Sequence, residues 1–219
     1  IFFVSFWTFI SVVWLKSYFH VSWYDAGSVS KEYKELAKIS AFEIEQRLSN
    51  LPKCTKCNSP QLYGTYHCNK CNMCYYHYDH HCDIVGNCIA YKNTQPFALY
   101  LIYGCFILFF TSFALLFPHF FHSPCEQMLT RPFGILVALF AISLSFFAYS
   151  TLSNLLNSQS NLETIYRAKI GHYGERQHED LTPYWGDSIL LYILPHSPST
   201  YLYKKATFQE RLDALESIH

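Results

Sequence analysis

Long apolar segments alternate with polar ones along this chain. The first apolar segment runs from residue 1 to Leu15, and the segments 97–117 and 133–152 contain no charged residue. A helix needs about 20 apolar residues to cross the hydrocarbon core of a bilayer. We therefore predict transmembrane helices over 97–117 and 133–152. We predict a further one over 1–21, in which Lys16 extends its amine to the interface.

The polar segments divide the rest of the chain. Residues 22–53 are predicted to be a linker, 54–93 a cysteine-rich module, 118–132 a loop and 153–219 a C-terminal tail. The chain opens on Ile1, and residues 1–21 have neither the basic start nor the cleavage site of a signal peptide. We interpret 1–21 as a transmembrane helix of a protein that is truncated at its N-terminus.

The lysines and arginines predict how these segments face the membrane. They are numerous in 22–93 and in the tail, whereas the loop 118–132 contains only Arg131. Because cytoplasmic loops carry an excess of Lys and Arg, the module and the tail should be cytosolic, and the loop should be luminal or outside. A reducing cytosol would keep the thiols of the module free of disulfides.

Composition agrees with a membrane protein. The formal net charge is +0 and aromatic residues are 19% of the chain, so no basic surface indicates a nucleic-acid partner. The predicted fold class is an α-helical polytopic membrane protein. Its transmembrane bundle, with three helices visible, carries a cytosolic cysteine-rich module with two zinc sites.

The module holds seven of the nine cysteines. Cys54/Cys57 and Cys68/Cys71 have the two-residue gap that puts both sulfurs on one zinc ion, and structural zinc takes four Cys or His ligands. Two such sites need eight ligands. One solution is two Cys3His sites, which leave one cysteine free. The other uses all seven cysteines and one histidine, and spacing alone does not decide between them.

The run Asp79-His80-His81-Cys82 suggests which cysteine stays free. In extended backbone alternate side chains share a face, so His80 and Cys82 would face together and His81 the opposite way, toward metal. A thiol beside an imidazole is the arrangement of nucleophile and base, and Asp79 can orient the imidazole. The competing interpretation makes Cys82 one more zinc ligand. His77 is predicted to be a surface histidine.

Together these residues resemble a known family. The spacing Cys-x2-Cys-x9-His-Cys-x2-Cys-x2-Cys-x4-Asp-His-His-Cys-x5-Cys-x4-Asn-x3-Phe, from Cys54 to Phe97, is similar to the DHHC cysteine-rich domain of protein S-acyltransferases (palmitoyltransferases). Asp25-Ala26-Gly27 also resembles the family. The resemblance covers about residues 25–155 and implies a bundle of four membrane helices above a cytosolic double-zinc module.

The resemblance also implies a site and its chemistry. It implies two structural Zn²⁺ ions, one held by Cys54, Cys57, His67 and Cys74 and the other by Cys68, Cys71, His81 and Cys88. Cys82 would take a long-chain acyl group from an acyl-CoA such as palmitoyl-CoA, with His80 as base and Asp79 orienting it. The implied partners are the lipid bilayer and substrate proteins with membrane-proximal cytosolic cysteines. The implied location is an endomembrane, Golgi or endoplasmic reticulum.

Two residues depart from the family pattern beside the reactive cysteine. Asp83 and Ile84 stand where the family has Pro-Trp. A negative charge disfavours a neighbouring thiolate, so we expect Asp83 to raise the pKa of Cys82. The alternative function is therefore a catalytically impaired, zinc-dependent membrane scaffold of the same family.

Overall fold

The computed structural model describes residues 2–31, 52–61, 65–117, 124–156 and 194–195. The named elements in these ranges are three helices and four strands. In chain order they are α1 (Phe2–Trp23), β1 (Thr65–Cys68), β2 (Met73–Tyr76), β3 (His80–Cys82), β4 (Asn87–Ile89), α2 (Thr94–Leu116) and α3 (Pro124–Leu156). Most of the predicted linker and tail lies outside the described residues.

Within the described residues, two helical segments are long and apolar enough to cross a membrane, Thr94–Leu116 and, within α3, Thr130–Asn154. They leave large apolar side chains uncovered, such as Phe106, Phe113 and Phe146, which are 60%, 56% and 73% exposed. In water such surface is unfavourable, whereas lipid tails would cover it. The predicted segment 1–21 is a single helix, α1, whose membrane crossing remains a prediction.

The helix predicted over 133–152 is longer than expected. It begins at Pro124, so residues 124–132 are helical, and the prediction of a loop is wrong for that part of 118–132. Pro124 explains the start, because proline is favoured at the first helical position. The remainder of the predicted loop, 118–123, lies outside the described residues.

Small residues let α3 lie close along α2. The hydroxyl of Ser112 donates to the carbonyl of Gly134 at 3.1 Å. A Cβ added at Gly134 would lie 3.0 Å from the Cβ of Leu115, closer than ordinary van der Waals contact, so glycine favours this approach. On the other side α1 packs on α2, where the rings of Trp14 and Tyr100 stack with centroids 5.6 Å apart.

The cysteine-rich module consists of two antiparallel hairpins, β1–β2 and β3–β4. The second hairpin packs against one end of the helices through a shared apolar cluster. The cluster contains Val21, Val85, Ile89, Phe97, Leu101, Cys105 and Ala148. Because these residues come from α1, the module, α2 and α3, the module is seated on the helix ends rather than joined to them by a flexible tether.

The segment after α1 connects the helix to the module. The carboxylate of Asp25 accepts hydrogen bonds from the backbone N–H groups of Gly27 and Ser28. Gly27 adopts φ +100°, a conformation that favours glycine. The Gly27 carbonyl then accepts from the Tyr76 N–H of β2. The turn that resembles the family motif therefore attaches α1 to the first hairpin.

Asn87 makes the second connection. Its side-chain amide donates to the carbonyls of Val21 at 2.8 Å and Tyr24 at 2.9 Å. The last carbonyls of a helix have no partner within the helix, so Asn87 satisfies two acceptors at the C-terminal end of α1. The start of β4 is thereby fixed to that helix end.

Candidate active site and metal centres

The structure brings eight side chains of the module into two groups. They are Cys54, Cys57, His67 and Cys74, and Cys68, Cys71, His81 and Cys88. Within each group the ligand atoms lie within 4.8 Å of one another. In the second group, for example, Sγ of Cys71 lies 3.4 Å from Sγ of Cys88 and 3.4 Å from Nδ1 of His81. Three thiols and one imidazole fit tetrahedral zinc, so both groups can bind it.

Hairpin register explains why the ligands meet. His67 on β1 is opposite Cys74 on β2, and His81 on β3 is opposite Cys88 on β4. Side chains of directly opposed residues lie on the same face of an antiparallel pair. Each hairpin therefore supplies a histidine and a cysteine, and an earlier Cys-x2-Cys turn supplies the other two thiols.

The two groups are copies of one repeat. Each ligand of the first group has its counterpart fourteen positions later in the second, from Cys54 and Cys68 onward. A third copy would begin at Cys82, but Val85 stands in the position of its second cysteine. The third copy therefore has the first thiol of a metal pair without its partner.

The backbone shows that the third copy keeps the turn. The N–H of Asn58 donates to the Cys54 carbonyl at 2.9 Å, and the N–H of Gly86 donates to the Cys82 carbonyl at 2.9 Å. Asn58, Asn72 and Gly86 are also spaced fourteen positions apart, with φ of 57°, 53° and 67°. Asparagine and glycine are the residues that tolerate this left-handed conformation best. The spacing of the cysteines and histidines in the sequence, fourteen positions from one copy to the next, was the signal that could have revealed this repeat.

Cys82 belongs to neither group. It is half-buried and packs against the apolar cluster formed by α1, α2, α3 and the second hairpin. His81, its neighbour on β3, lies in the second group, whereas the His80 side chain lowers the pKa of Cys82. The alternation expected for an extended segment is present, since β3 runs from His80 to Cys82.

Asp79 and two aromatic rings hold His80. Nδ1 of His80 lies 3.0 Å from Oδ2 of Asp79. The imidazole centroid lies 5.5 Å from that of Phe97 on α2 and 6.4 Å from that of Phe147 on α3. Burial lowers the pKa of His80, but Asp79 and Cys82 outweigh burial and raise it to about 9. Asp79 itself is 9% exposed, which shields this pair from water.

The thiol of Cys82 has the opposite shift. Burial raises the pKa of Cys82, but the hydrogen bonds to His80 and from the backbone of Val85 and Ile84 outweigh burial, so the pKa lies below the ordinary thiol value. Fourteen positions earlier, hydrogen bonds from the backbone of Cys71 and Lys70 lower the pKa of Cys68 in the same way. The turn that presents a ligand sulfur to metal in the second copy thus presents a thiol of lowered pKa in the third.

The expectation that Asp83 raises the pKa of Cys82 is wrong. The Asp83 carboxylate is 73% exposed and pairs with the ammonium of Lys70, with Oδ2 2.6 Å from Nζ. Lys70 lowers the pKa of Asp83 through this contact. The negative charge beside the thiol is therefore neutralised by a residue from the preceding turn, which sequence reasoning had not connected with it.

The prediction that His77 is a surface histidine is also wrong. His77 is 5% exposed and has φ 46°. Its ring stacks on Tyr91 with centroids 5.8 Å apart. Flanking tyrosines suggested a polar surface, but the turn after β2 directs His77 into the junction between the module and α2.

Fold and site together combine two candidate membrane-spanning helices with two potential zinc centres and a cysteine outside both. The family model for DHHC palmitoyltransferase matches residues 48–168, more than half of the chain. The chain belongs to this family, which confirms the resemblance found in the sequence. A search of curated proteins found no match.

Proposed function

We propose that this protein is a membrane-bound protein S-acyltransferase that carries its acyl group on Cys82. One observation carries the proposal. Cys82 lies outside both metal groups, beside His80, and against an apolar cluster that includes residues of all three helices. A nucleophile in that position has a partner for proton transfer on one side and apolar surface for a lipid chain on the other.

The first step acylates the enzyme. The Cys82 thiolate attacks the carbonyl carbon of a long-chain acyl-CoA thioester, such as palmitoyl-CoA. A new carbon–sulfur bond forms to Cys82, the bond to the CoA sulfur breaks, and CoA leaves as a thiolate that takes the proton of the His80 imidazolium, which leaves His80 neutral. The backbone N–H groups of Ile84 and Val85, which bond the Cys82 sulfur, favour the thiolate before attack.

The second step transfers the acyl group to a substrate protein. A substrate cysteine gives its proton to His80, and its sulfur attacks the thioester carbonyl, so that Cys82 leaves as a thiolate. Asp79 holds the imidazole by the 3.0 Å bond to Nδ1 and stabilises its positive charge. His80 is thus assigned the role of base, and Asp79 that of its orienting partner.

Apolar surface beside Cys82 suits the acyl chain. Burial of each CH₂ group stabilises by about 0.8 kcal/mol, so a long chain gains much from contact with the helix ends. Tyr100 and Leu144 pack on the same cluster as Cys82, and they belong to α2 and α3. We propose that α1 also crosses the bilayer and that the module faces the cytosol. Substrates would then be proteins with membrane-proximal cytosolic cysteines, on Golgi or endoplasmic reticulum membranes.

Zinc supplies structure in this proposal. The sites of Cys54, Cys57, His67 and Cys74 and of Cys68, Cys71, His81 and Cys88 would each hold one Zn²⁺ and stabilise the hairpins. A module with so few aliphatic residues depends on the bonds between its ligands and zinc for its folding. His81 would serve as a ligand, while its neighbours on β3 remain free for the reaction.

The alternative, an inactive scaffold, rested on the charge of Asp83. Because Lys70 pairs with that carboxylate, the reason to expect an impaired nucleophile is removed. The shifted pKa of Cys82 lies on the side that favours reactivity. Both observations support the transferase over the scaffold.

A labelling experiment tests the proposal. Cells that express the protein are given a clickable palmitate analogue, and the purified chain is examined before and after hydroxylamine. We expect hydroxylamine-labile label on the wild type and none on Cys82→Ser. The matched control is Cys105→Ala, which alters a buried thiol of α2 and should stay labelled. Equal labelling of Cys82→Ser and wild type, with zinc content intact, would exclude Cys82 as the acyl carrier.

A further inference from the structure

The exposed pair of Lys70 and Asp83 lies over the second metal group. Lys70 stands within the Cys68-x2-Cys71 turn, and Asp83 stands two residues after His81. The pair therefore joins the turn that supplies two thiols to the strand that supplies the imidazole. No part of the proposed transfer reaction uses either side chain.

His81 has one nitrogen inside the metal group and one outside it. Nδ1 lies 3.4 to 3.7 Å from the sulfurs of Cys71, Cys88 and Cys68. A neutral imidazole that binds metal through Nδ1 carries its proton on Nε2. Nε2 lies 3.4 Å from Oδ1 of Asp83. An N–H donor and a carboxylate acceptor thus face each other at the outer edge of the site.

We propose that Asp83 is a positioning residue for the second zinc centre and acts through His81. Its carboxylate accepts a hydrogen bond from the Nε2–H group. This bond fixes the ring orientation of His81 and makes Nδ1 a stronger electron-pair donor to zinc. Carboxylates commonly serve metal-bound histidines in this way, and their loss typically lowers metal affinity about 10- to 100-fold. Lys70 pairs with the same carboxylate from the other side.

The first group offers an internal comparison. Fourteen positions before Lys70 and Asp83 stand Lys56 and Asn69, and Nζ of Lys56 lies 2.6 Å from Oδ1 of Asn69. Both turns thus have a lysine paired with a side-chain oxygen, but only the second has a carboxylate there. Asp83→Asn would give the second centre the pair that the first centre already has.

The proposal rests on the zinc occupancy assumed above, and zinc release tests it. Purified full-length protein in detergent is mixed with excess EDTA, and zinc leaving each chain is followed against total zinc content. The wild type should hold two zinc ions. Asp83→Asn should release one of them about 10-fold faster or more, with the other unchanged. The conservative variant Asp83→Glu, which keeps the carboxylate, should restore slow release.

Two further variants separate this role from a surface ion pair. Lys70→Gln removes the ion pair but leaves the carboxylate near His81, and exposed ion pairs contribute little, so its release rate should stay within about threefold of wild type. Asn69→Ala is the matched control at the first centre and should likewise stay within about threefold.

Other outcomes overturn the proposal. The proposal is overturned if Asp83→Asn releases zinc at the wild-type rate. It is also overturned if Lys70→Gln and Asp83→Asn accelerate zinc release equally. If Asp83→Asn purifies with only one zinc ion, two zinc ions in Asp83→Glu support the positioning role of Asp83, whereas one zinc ion in each variant overturns it. Wild-type protein without zinc would instead refute the occupancy on which the proposal rests.

Discussion

Nδ1 of His80 lies 3.0 Å from Oδ2 of Asp79, and this hydrogen bond holds the imidazole in one orientation beside Cys82. The carboxylate is almost completely buried, so water does not compete for the bond. Cys82, His80 and Asp79 are thus arranged as a nucleophile, a base and an orienting carboxylate. The base and the carboxylate are neighbours in the chain.

Substitution of His80 and Asp79 should separate proton transfer from acyl-CoA attack. We expect His80→Ala to slow transfer to a substrate peptide about 10²- to 10⁴-fold, the range for loss of a general base. Asp79→Asn keeps the size of the side chain and should slow transfer by at least about 10-fold, because the charged ring loses its partner. The first step is measured by the release of CoA from purified enzyme without peptide, and the second by the appearance of acylated cysteine peptide. Zinc content of two per chain in each variant is the control, and wild-type rates in His80→Ala would contradict the assigned base.

Zinc stoichiometry should distinguish the two ligand arrangements left open by spacing. Cys82 lies in neither metal group, so Cys82→Ser should retain two zinc ions per chain. Cys88→Ser should lose one zinc, because it removes a thiol from the second group. Metal analysis of the purified proteins measures both. A loss of zinc in Cys82→Ser would instead favour the arrangement that uses all seven cysteines of the module.

Asn87 should stabilise the junction of α1 with the module. Asn87→Ala removes the exposed bond to the Tyr24 carbonyl and the partly buried bond to the Val21 carbonyl, and an unsatisfied buried acceptor costs about 1–3 kcal/mol. We expect a lower midpoint of thermal unfolding in detergent and faster protease cleavage after α1. Asn69→Ala, at an exposed position, is the control and should leave both unchanged. An unaltered midpoint in Asn87→Ala would show that the apolar cluster alone holds the junction.

Asp25 should stabilise the same junction in a pH-dependent manner. Burial raises the pKa of Asp25, but hydrogen bonds from Ser28 and Lys31 outweigh it, and the pKa lies below the ordinary value of 3.8. The stabilisation is therefore present above that value and is lost as pH falls through the lowered pKa. Asp25→Asn should lower the free energy of unfolding by about 1 kcal/mol at neutral pH, as does loss of a capping carboxylate.

The comparison of Asp25→Asn with wild type at falling pH tests that assignment, because the difference between them should shrink as pH falls below 3.8 through the lowered pKa of Asp25. Denaturant titration in detergent gives both free energies. Lys31→Ala serves as the companion variant: it removes only the exposed ammonium and should cost about 0.2–1 kcal/mol. A difference between Asp25→Asn and wild type that persists in acid would mean that charge is not the cause.

Gly134 should be required for close packing of α3 on α2. Gly134→Leu places a side chain where even a Cβ lies 3.0 Å from Leu115 and Leu116. We expect α3 to separate from α2, with loss of acylation and a lower unfolding midpoint, because overpacking costs about 1–3 kcal/mol. Fluorescence-detected size exclusion after heating measures the change. Leu136→Ala, at a position 64% exposed, is the control, and equal stability of the two variants would contradict the packing.

Much of this protein was predictable from local sequence. Segments without charge predict α2 and α3, since length and apolarity decide whether a helix can span a bilayer. The paired Cys-x2-Cys spacing predicts metal binding, because two residues between thiols allow both to reach one ion. The start of α3 at Pro124 was missed, although proline is favoured at the first helical position, because the helix was predicted only over the segment without charge.

Only the tertiary structure decided which cysteine stays free and what surrounds it. Spacing leaves Cys82 as a possible ligand, and its exclusion from both groups depends on how two hairpins fold back on earlier turns. Asp83 lies next to Cys82 in sequence, yet it pairs with Lys70 from the preceding copy. Chain neighbours are visible in a sequence, whereas charge compensation and burial depend on distances between segments that are far apart along the chain.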